Sequence, residues 1–333
     1  MNEIRNIVSD IKKGNIKPIY FLMGDEPYYI DKISEFIEEN ILDEAEKGFN
    51  QQVMYGRDAS IEDIVSAAKR YPMMAERQVI IVKEAQDLSR TIEKLVSYAE
   101  NPQPTTVLVF NYKYKKLDKR KKLSKAIAKT GFIYESKKMY ENQVSDWIRN
   151  VLSGKKYNIE PKASQMLVEF LGTDLSKISN ELDKLMLILP KETIITDAHI
   201  EENIGISKDF NNFELRKAVG EKNIVKANRI INYFAENPKA NPLVMTISLL
   251  NSFFTQLLSF HGLQDKSKNS VAKAIGVNPY FVDEYFTAAR NYPMRKVAQV
   301  IAALRDADVK SKGVGASQSQ RDLLKELLFK ILH

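Results

Sequence analysis

The residues that could bind a phosphate lie in Gly24-Asp25-Glu26-Pro27-Tyr28-Tyr29-Ile30-Asp31, directly after the apolar run Ile19-Tyr20-Phe21-Leu22-Met23. A glycine turn between a buried strand and a helix is where backbone N–H groups can wrap phosphates. A working phosphate loop also needs a second glycine, a lysine to neutralise charge and a hydroxyl for magnesium. Those three positions hold Tyr29, Ile30 and Asp31. Pro27 removes a donor, and Asp25, Glu26 and Asp31 would repel a triphosphate. Lys32 is out of register. At the metal position after a later strand, Val82 is followed by Lys83 and Glu84, and the lysine competes with magnesium. Gly24, Asp25 and Glu26 therefore read as a degenerate nucleotide loop that is not expected to bind ATP.

No other arrangement of catalytic residues emerges. His199, His261 and the last residue, His333, lie far apart without a ligand-spaced partner, and no Gly-x-Ser-x-Gly elbow occurs. Glu38-Glu39 and Glu201-Glu202 sit in helical patterns and read as solvated faces. The absence of cysteine excludes disulfides, thiolate catalysis and cysteine-ligated zinc, and fits a reducing compartment. No catalytic residue, metal or cofactor is expected.

Two stretches suit binding instead. In Tyr71-Pro72-Met73-Met74, Pro72 disfavours helix at Tyr71, so two flexible apolar side chains stand at a break in the chain. They either plug the domain's own core or form an exposed wedge for another protein. The second stretch is basic: Lys113, Lys115, Lys116, Lys119, Arg120, Lys121, Lys122, Lys125 and Lys129 accompany one acid, Asp118, with Tyr112 and Tyr114 interleaved. It reads equally as a phosphate-contacting patch and as a solvated helix from about Asp118 to Lys129, with Leu123, Ile127 and Ala128 facing inward.

The elements that position these stretches follow from periodicity. Strands are expected at 18–23, 51–55, 79–82, 106–110 and 132–134. Helices are expected up to Lys13, over 28–41, through Ile61-Ile64-Val65-Ala68, through Ile92-Leu95-Val96-Ala99, and in the basic run. The run Val79-Ile80-Ile81-Val82 is continuous, as in a strand buried on both faces. Alternation of this kind argues for a parallel sheet with helices on both sides, whose ligands gather at the strand carboxyl ends. Beyond Tyr140 strand signals stop. Amphipathic helices carry Val144, Trp147, Ile148 and Val151; Ala163, Met166, Leu167 and Phe170; and Leu175 to Met186, with Asp174 as N-cap. Later helices carry Val225, Ile230, Ile231 and Phe234, then Leu243 to Leu258, Phe281 to Phe286, Val297 to Leu304, and Leu323 to Ile331. Lys312-Gly313-Val314-Gly315 forms a break. The formal net charge of +7, with 50 basic against 43 acidic residues, permits nucleic-acid contact without requiring it. The N-terminus does not read as a signal peptide, and no uninterrupted apolar segment reads as a membrane span.

Four segments together resemble the delta subunits of the bacterial DNA polymerase III clamp loader. They are Ile19 to Pro27, Pro72 to Gln78, Leu171-Gly172-Thr173-Asp174-Leu175 with its continuation to Leu185, and Leu304-Arg305-Asp306-Ala307-Asp308-Val309-Lys310-Ser311-Lys312-Gly313. The resemblance implies an AAA+-like α/β domain at 1–140, a helical lid at 141–208 and an all-α helical collar at 209–333. It implies a subunit without ATP binding, consistent with the loop. It also implies a wedge, Met73 and Met74 with Tyr71 and Pro72 beside them, that binds and opens the beta sliding clamp. Relatives typically carry Leu-Phe before a small residue and Arg-Gln; this chain has Met73-Met74 before Ala75, Arg77 and Gln78. Implied partners are delta-prime and gamma/tau subunits in a heteropentamer, and primed DNA. Lys115, Lys116, Lys119, Arg120, Lys121 and Lys122 are the candidate DNA contacts. The implied location is cytoplasmic and nucleoid-associated. The rival readings are an active AAA+ ATPase with an atypical loop and a DNA-binding helical scaffold.

Overall fold

The computed structural model describes residues 2–207, 209–314 and 318–333. The chain forms two compact units, 1–139 and 140–333.

The first unit contains five strands, β1 (Ile19–Gly24), β2 (Gln51–Tyr55), β3 (Gln78–Lys83), β4 (Thr106–Lys113) and β5 (Phe132–Ser136). Every pairing is parallel, in the order β2-β3-β4-β1-β5. The helices are α1 (Asn2–Lys12), α2 (Pro27–Asn40), α3 (Glu44–Asn50), α4 (Ile61–Ala68), α5 (Val96–Glu100) and α6 (Lys122–Thr130). The three central strands are buried on both faces, which their continuous apolar sequences anticipate. One face packs Phe21, Ile80, Leu108 and Phe110 against Ile64 of α4, Tyr98 of α5 and Ile127 of α6. Strand alternation puts Tyr20, Leu22, Val79, Ile81, Val107 and Val109 on the other face, all buried. The helix α2, with Ile30, Ile33 and Ile37 buried, contacts β1, β3, β4 and β5. By contrast, β2 is an edge strand, and its Val53 and Tyr55 are exposed.

Several local expectations need correction. The helix expected through Ile92–Ala99 is a 3₁₀ turn over Ile92–Leu95 followed by the short α5. The basic helix begins at Lys122 rather than Asp118, because the Asp118 carboxylate accepts both the backbone N–H of Arg120 and its guanidinium and so forms a turn. Within that helix Ala126 is buried and Ala128 is exposed.

The second unit is helical: α7 (Glu141–Ser153), α8 (Pro161–Leu171), α9 (Leu175–Ile188), α10 (Asp197–Ile204), α11 (Asn212–Gly220), α12 (Ile224–Glu236), α13 (Leu243–Gly262), α14 (Lys268–Ile275), α15 (Val282–Asn291), α16 (Met294–Ser311) and α17 (Gln320–Leu332). Two two-residue strands, β6 (Asn158–Ile159) and β7 (Ile194–Ile195), pair in parallel where no strand was expected. Asp174 caps α9 by accepting the Lys177 N–H at 3.1 Å. Val225 is exposed, and Ala227 takes the inward place. In length and composition α13 could cross a membrane, contrary to the expectation of no such segment. Its Leu250, Phe253, Phe254 and Leu257, however, lie in the core with Val300 of α16 and Leu327 of α17. Gly315, in the expected break after α16, lies outside the described residues.

Candidate functional site

The candidate wedge residues, Tyr71, Pro72, Met73 and Met74, stand on a loop between α4 and β3. This loop has no regular structure, yet its ends and middle are fastened. Gln78 Nε2 donates to the Arg70 carbonyl at 2.6 Å, to Thr106 Oγ1 at 2.8 Å and, more distantly, to the Ala67 carbonyl at 3.3 Å. Thr106 Oγ1 in turn donates to the Ala68 carbonyl at 2.8 Å, satisfying an open carbonyl at the end of α4. Arg77 Nη1 reaches the Pro104 carbonyl at 3.2 Å. In the middle, the Asn50 side chain brackets Met73 with two hydrogen bonds. The loop projects its apolar side chains outward: Tyr71 is 77% exposed, Met73 62% and Met74 103%. Pro72 is half-buried between them. Of the two readings open to the sequence, the core plug is excluded, because a fully exposed methionine fills no cavity. Met74 also has φ = +53°, a left-handed conformation that costs a non-glycine residue about 1 kcal/mol or more. Phe49, beside Asn50 at the end of α3, is 77% exposed. Neither Phe49 nor Asn50 was identified as functional from the sequence.

The degenerate nucleotide loop is filled by the protein's own groups. The N–H of Gly24 donates to the Lys115 carbonyl at 3.2 Å, and that of Asp25 to the Ser136 carbonyl at 3.2 Å. The N–H of Glu26 donates to Ser136 Oγ at 3.3 Å, and that of Tyr28 to Glu26 Oε1 at 3.1 Å. Pro27 has no N–H. The N–H groups of Gly24, Asp25, Glu26 and Tyr28 are therefore already engaged. The Glu26 carboxylate, 3% exposed, caps α2 at the place where an anion would sit. Gly24 is required for packing: at φ = +126°, a Cβ there would lie 2.1 Å from the Ser136 carbonyl oxygen. Ile30, at the position of the phosphate-loop lysine, is fully buried.

Folding brings the basic run onto this loop. Lys116 pairs with Asp25 at 2.7 Å and Glu135 at 3.4 Å, and Lys119 with Glu135 at 3.2 Å. Lys113 bridges Asp31 at 2.9 Å and Glu84 at 2.8 Å. Burial opposes the Lys113 ammonium, but the Glu84 and Asp31 carboxylates outweigh it and hold its pKa above the usual lysine value. Arg120 forks onto Asp118, which is held down at a pKa of about 2 chiefly by that hydrogen-bonded pair. Lys121 lies 3.5 Å from Glu93, and Lys115 Nζ donates to Ser89 Oγ at 2.7 Å and the Gln86 carbonyl at 3.2 Å. Of the six candidate DNA contacts, four are ion-paired and Lys115 is hydrogen-bonded. Lys122, at the start of α6, has no ion pair among the described residues, and neither do Lys125 and Lys129.

A family profile described as DNA polymerase III, delta subunit, matches residues 20–137. A second, described as the C-terminal domain of the same subunit, matches residues 209–330. The chain belongs to the DNA polymerase III delta-subunit family. It is 26% identical to DNA polymerase III subunit delta of Bacillus subtilis over 334 residues, spanning 97% of this chain and 94% of that one. It is 20% identical to a probable DNA polymerase III subunit delta of Aquifex aeolicus, over 80% of this chain and 78% of the relative. Among solved structures, the Bacillus subtilis DNA clamp loader delta protein aligns over 99% of both chains, with a TM-score of 0.54 at 25% identity. As a delta subunit the chain is a component of the DNA polymerase III clamp loader. In this delta chain the exposed methionine loop and the filled Gly24 loop both lie within residues 20–137, the span of the first profile.

Proposed function

We propose that this delta subunit binds the beta sliding clamp through Met73 and Met74, supported by Tyr71 and Pro72, and opens one clamp interface for loading onto primed DNA. The observation that carries this reading is the pair of exposed methionines on a loop fastened by Gln78 and Asn50. Burying both side chains is worth roughly 3–6 kcal/mol, at about 1.5–3 each. Such a contribution suits a transient hand-off, and methionine's flexibility suits an adaptable pocket. In this reading residues 141–208 are a lid and 209–333 a collar that assembles with delta-prime and gamma/tau subunits, in the cytoplasm. ATP turnover belongs to the neighbours. The engaged N–H groups of the Gly24 loop and the Glu26 cap support that division, and a fluorescent ATP analogue is expected to show no saturable binding to the pure chain. Saturable binding would instead favour the atypical-ATPase reading.

The decisive binding experiment compares the native chain with a Met73→Ala/Met74→Ala variant on the organism's clamp, with circular dichroism to establish folding. Truncation to alanine should remove about 2–4 kcal/mol, roughly 30- to 700-fold in affinity. Equal binding by both chains would place the contact elsewhere. DNA contact, if the basic run provides it, falls to Lys122, Lys125 and Lys129, the members with neither an ion pair nor a side-chain hydrogen bond among the described residues. Their charge reversal should then flatten the salt dependence of DNA binding.

A further inference from the structure

The middle of the wedge loop is held by one side chain. Asn50 ends α3 and is 5% exposed. Its Oδ1 accepts the Met73 N–H at 2.6 Å, and its Nδ2 donates to the Met73 carbonyl at 2.9 Å. The same Nδ2 donates to the Glu46 carbonyl within α3 at 3.2 Å. A carboxamide presents a donor and an acceptor side by side, so this one group pairs with Met73 much as a neighbouring peptide would in a sheet. The next residue, Met74, is in the left-handed region, a conformation that persists only where the surroundings impose it. Among the described residues no other hydrogen bond holds the backbone of Met73 or Met74.

We propose that Asn50 is a positioning residue for clamp recognition. It fixes the Met73 backbone so that Met73 and Met74 are presented together before the clamp arrives. This inference rests on the wedge reading above. Being buried, Asn50 itself makes no contact with the clamp; it acts by raising the fraction of chains whose loop is competent to bind. Apparent affinity falls in proportion to that fraction.

The test uses the full chain as native protein, Asn50→Ala, Asn50→Asp and Met73→Ala/Met74→Ala. Each is titrated with the clamp, and the three chains that retain Met73 and Met74 are also observed through 15N-labelled methionine amides. Asn50→Ala, which loses both bonds to Met73, should weaken binding about tenfold or more. Asn50→Asp keeps the acceptor for the Met73 N–H and should fall between it and the native chain. In Asn50→Ala the Met73 and Met74 amides should shift, while those of the buried Met23 and Met166 stay in place. Native affinity in Asn50→Ala overturns the proposal. So does movement of Met23 and Met166, because the effect would then be one of folding. If the double methionine variant binds normally, the wedge reading itself fails; if only the Asn50 variants do, the positioning role alone is lost.

Discussion

A buried charge cluster in the second unit gives a prediction that can be worked through in numbers. Arg216 of α11 sits with its guanidinium carbon 4.7 Å from the Phe213 ring centre and 5.7 Å from that of Phe281. Its Nη2 lies 3.1 Å from Glu284 Oε2, and its Nη1 is 3.7 Å from Glu169 Oε1. Two carboxylates thus share one guanidinium in a poorly solvated place, and Glu284 has the nearer position. Burial pushes Glu169 up to a pKa of about 7, only partly offset by Arg216 and by a hydrogen bond from Gln165. Its ordinary value is 4.5. A carboxyl whose folded pKa is raised contributes stability that is fully present below the unfolded value and is lost as pH rises through the folded one. The window is therefore pH 4.5 to 7. Between pH 5 and pH 8 the loss for this one group amounts to about 2–3 kcal/mol, at 1.36 kcal/mol per unit.

Glu169→Gln removes the titration and keeps the shape. Its stability relative to the native chain should rise by about 2–3 kcal/mol between pH 5 and pH 8. Urea denaturation at both pH values measures this, followed by fluorescence of Trp147, the single tryptophan, which is buried in α7 of the same unit. Arg216 retains Glu284 and both rings in the variant, so the cluster is not left with an unpaired cation. A difference between the two chains that does not change with pH would refute the reasoning, since it would mean that Glu169 stays ionised across the range.

Two further expectations concern the first unit. Gly24→Ala sets a Cβ against the Ser136 carbonyl at a backbone angle suited to glycine, and should cost at least about 3 kcal/mol; an unchanged thermal midpoint by circular dichroism would contradict it. Gln78→Ala strips hydrogen bonds from Arg70 and Thr106 and should lower stability by about 2–3 kcal/mol, with trypsin cutting sooner after Arg70 and Arg77. Unaltered cleavage would show that Gln78 does not fasten the loop.

The sheet was legible because its central strands are continuous apolar runs, for which burial on both faces is the stable solution. Elements without an apolar stripe were not. The only aromatic in α3, Phe49, points to solvent, although Asp43 and Glu46 spell a capping box that could have revealed the helix. The helix α11 is buried almost all round, Glu214 and Arg216 included, so no polar face marks its period. At the candidate site, the methionine pair was visible in sequence but its exposure was not, since the same residues could have filled a core. The meeting of the basic run with the Gly24 loop was hidden for another reason. It depends on β4 lying beside β1, a neighbour relation set by sheet topology. Asn50 left no signal, since an asparagine at a helix end reads as an ordinary terminator.

We propose that this chain supplies the clamp-opening contact through Met73 and Met74 without binding nucleotide itself. The most direct measurement is release of the organism's fluorescent clamp from closed circular DNA on adding the purified chain without ATP. The native chain should release the clamp, and the folded Met73→Ala/Met74→Ala variant should not. A native chain that binds the clamp yet leaves it on the circle, or a variant that releases it equally well, would contradict the account.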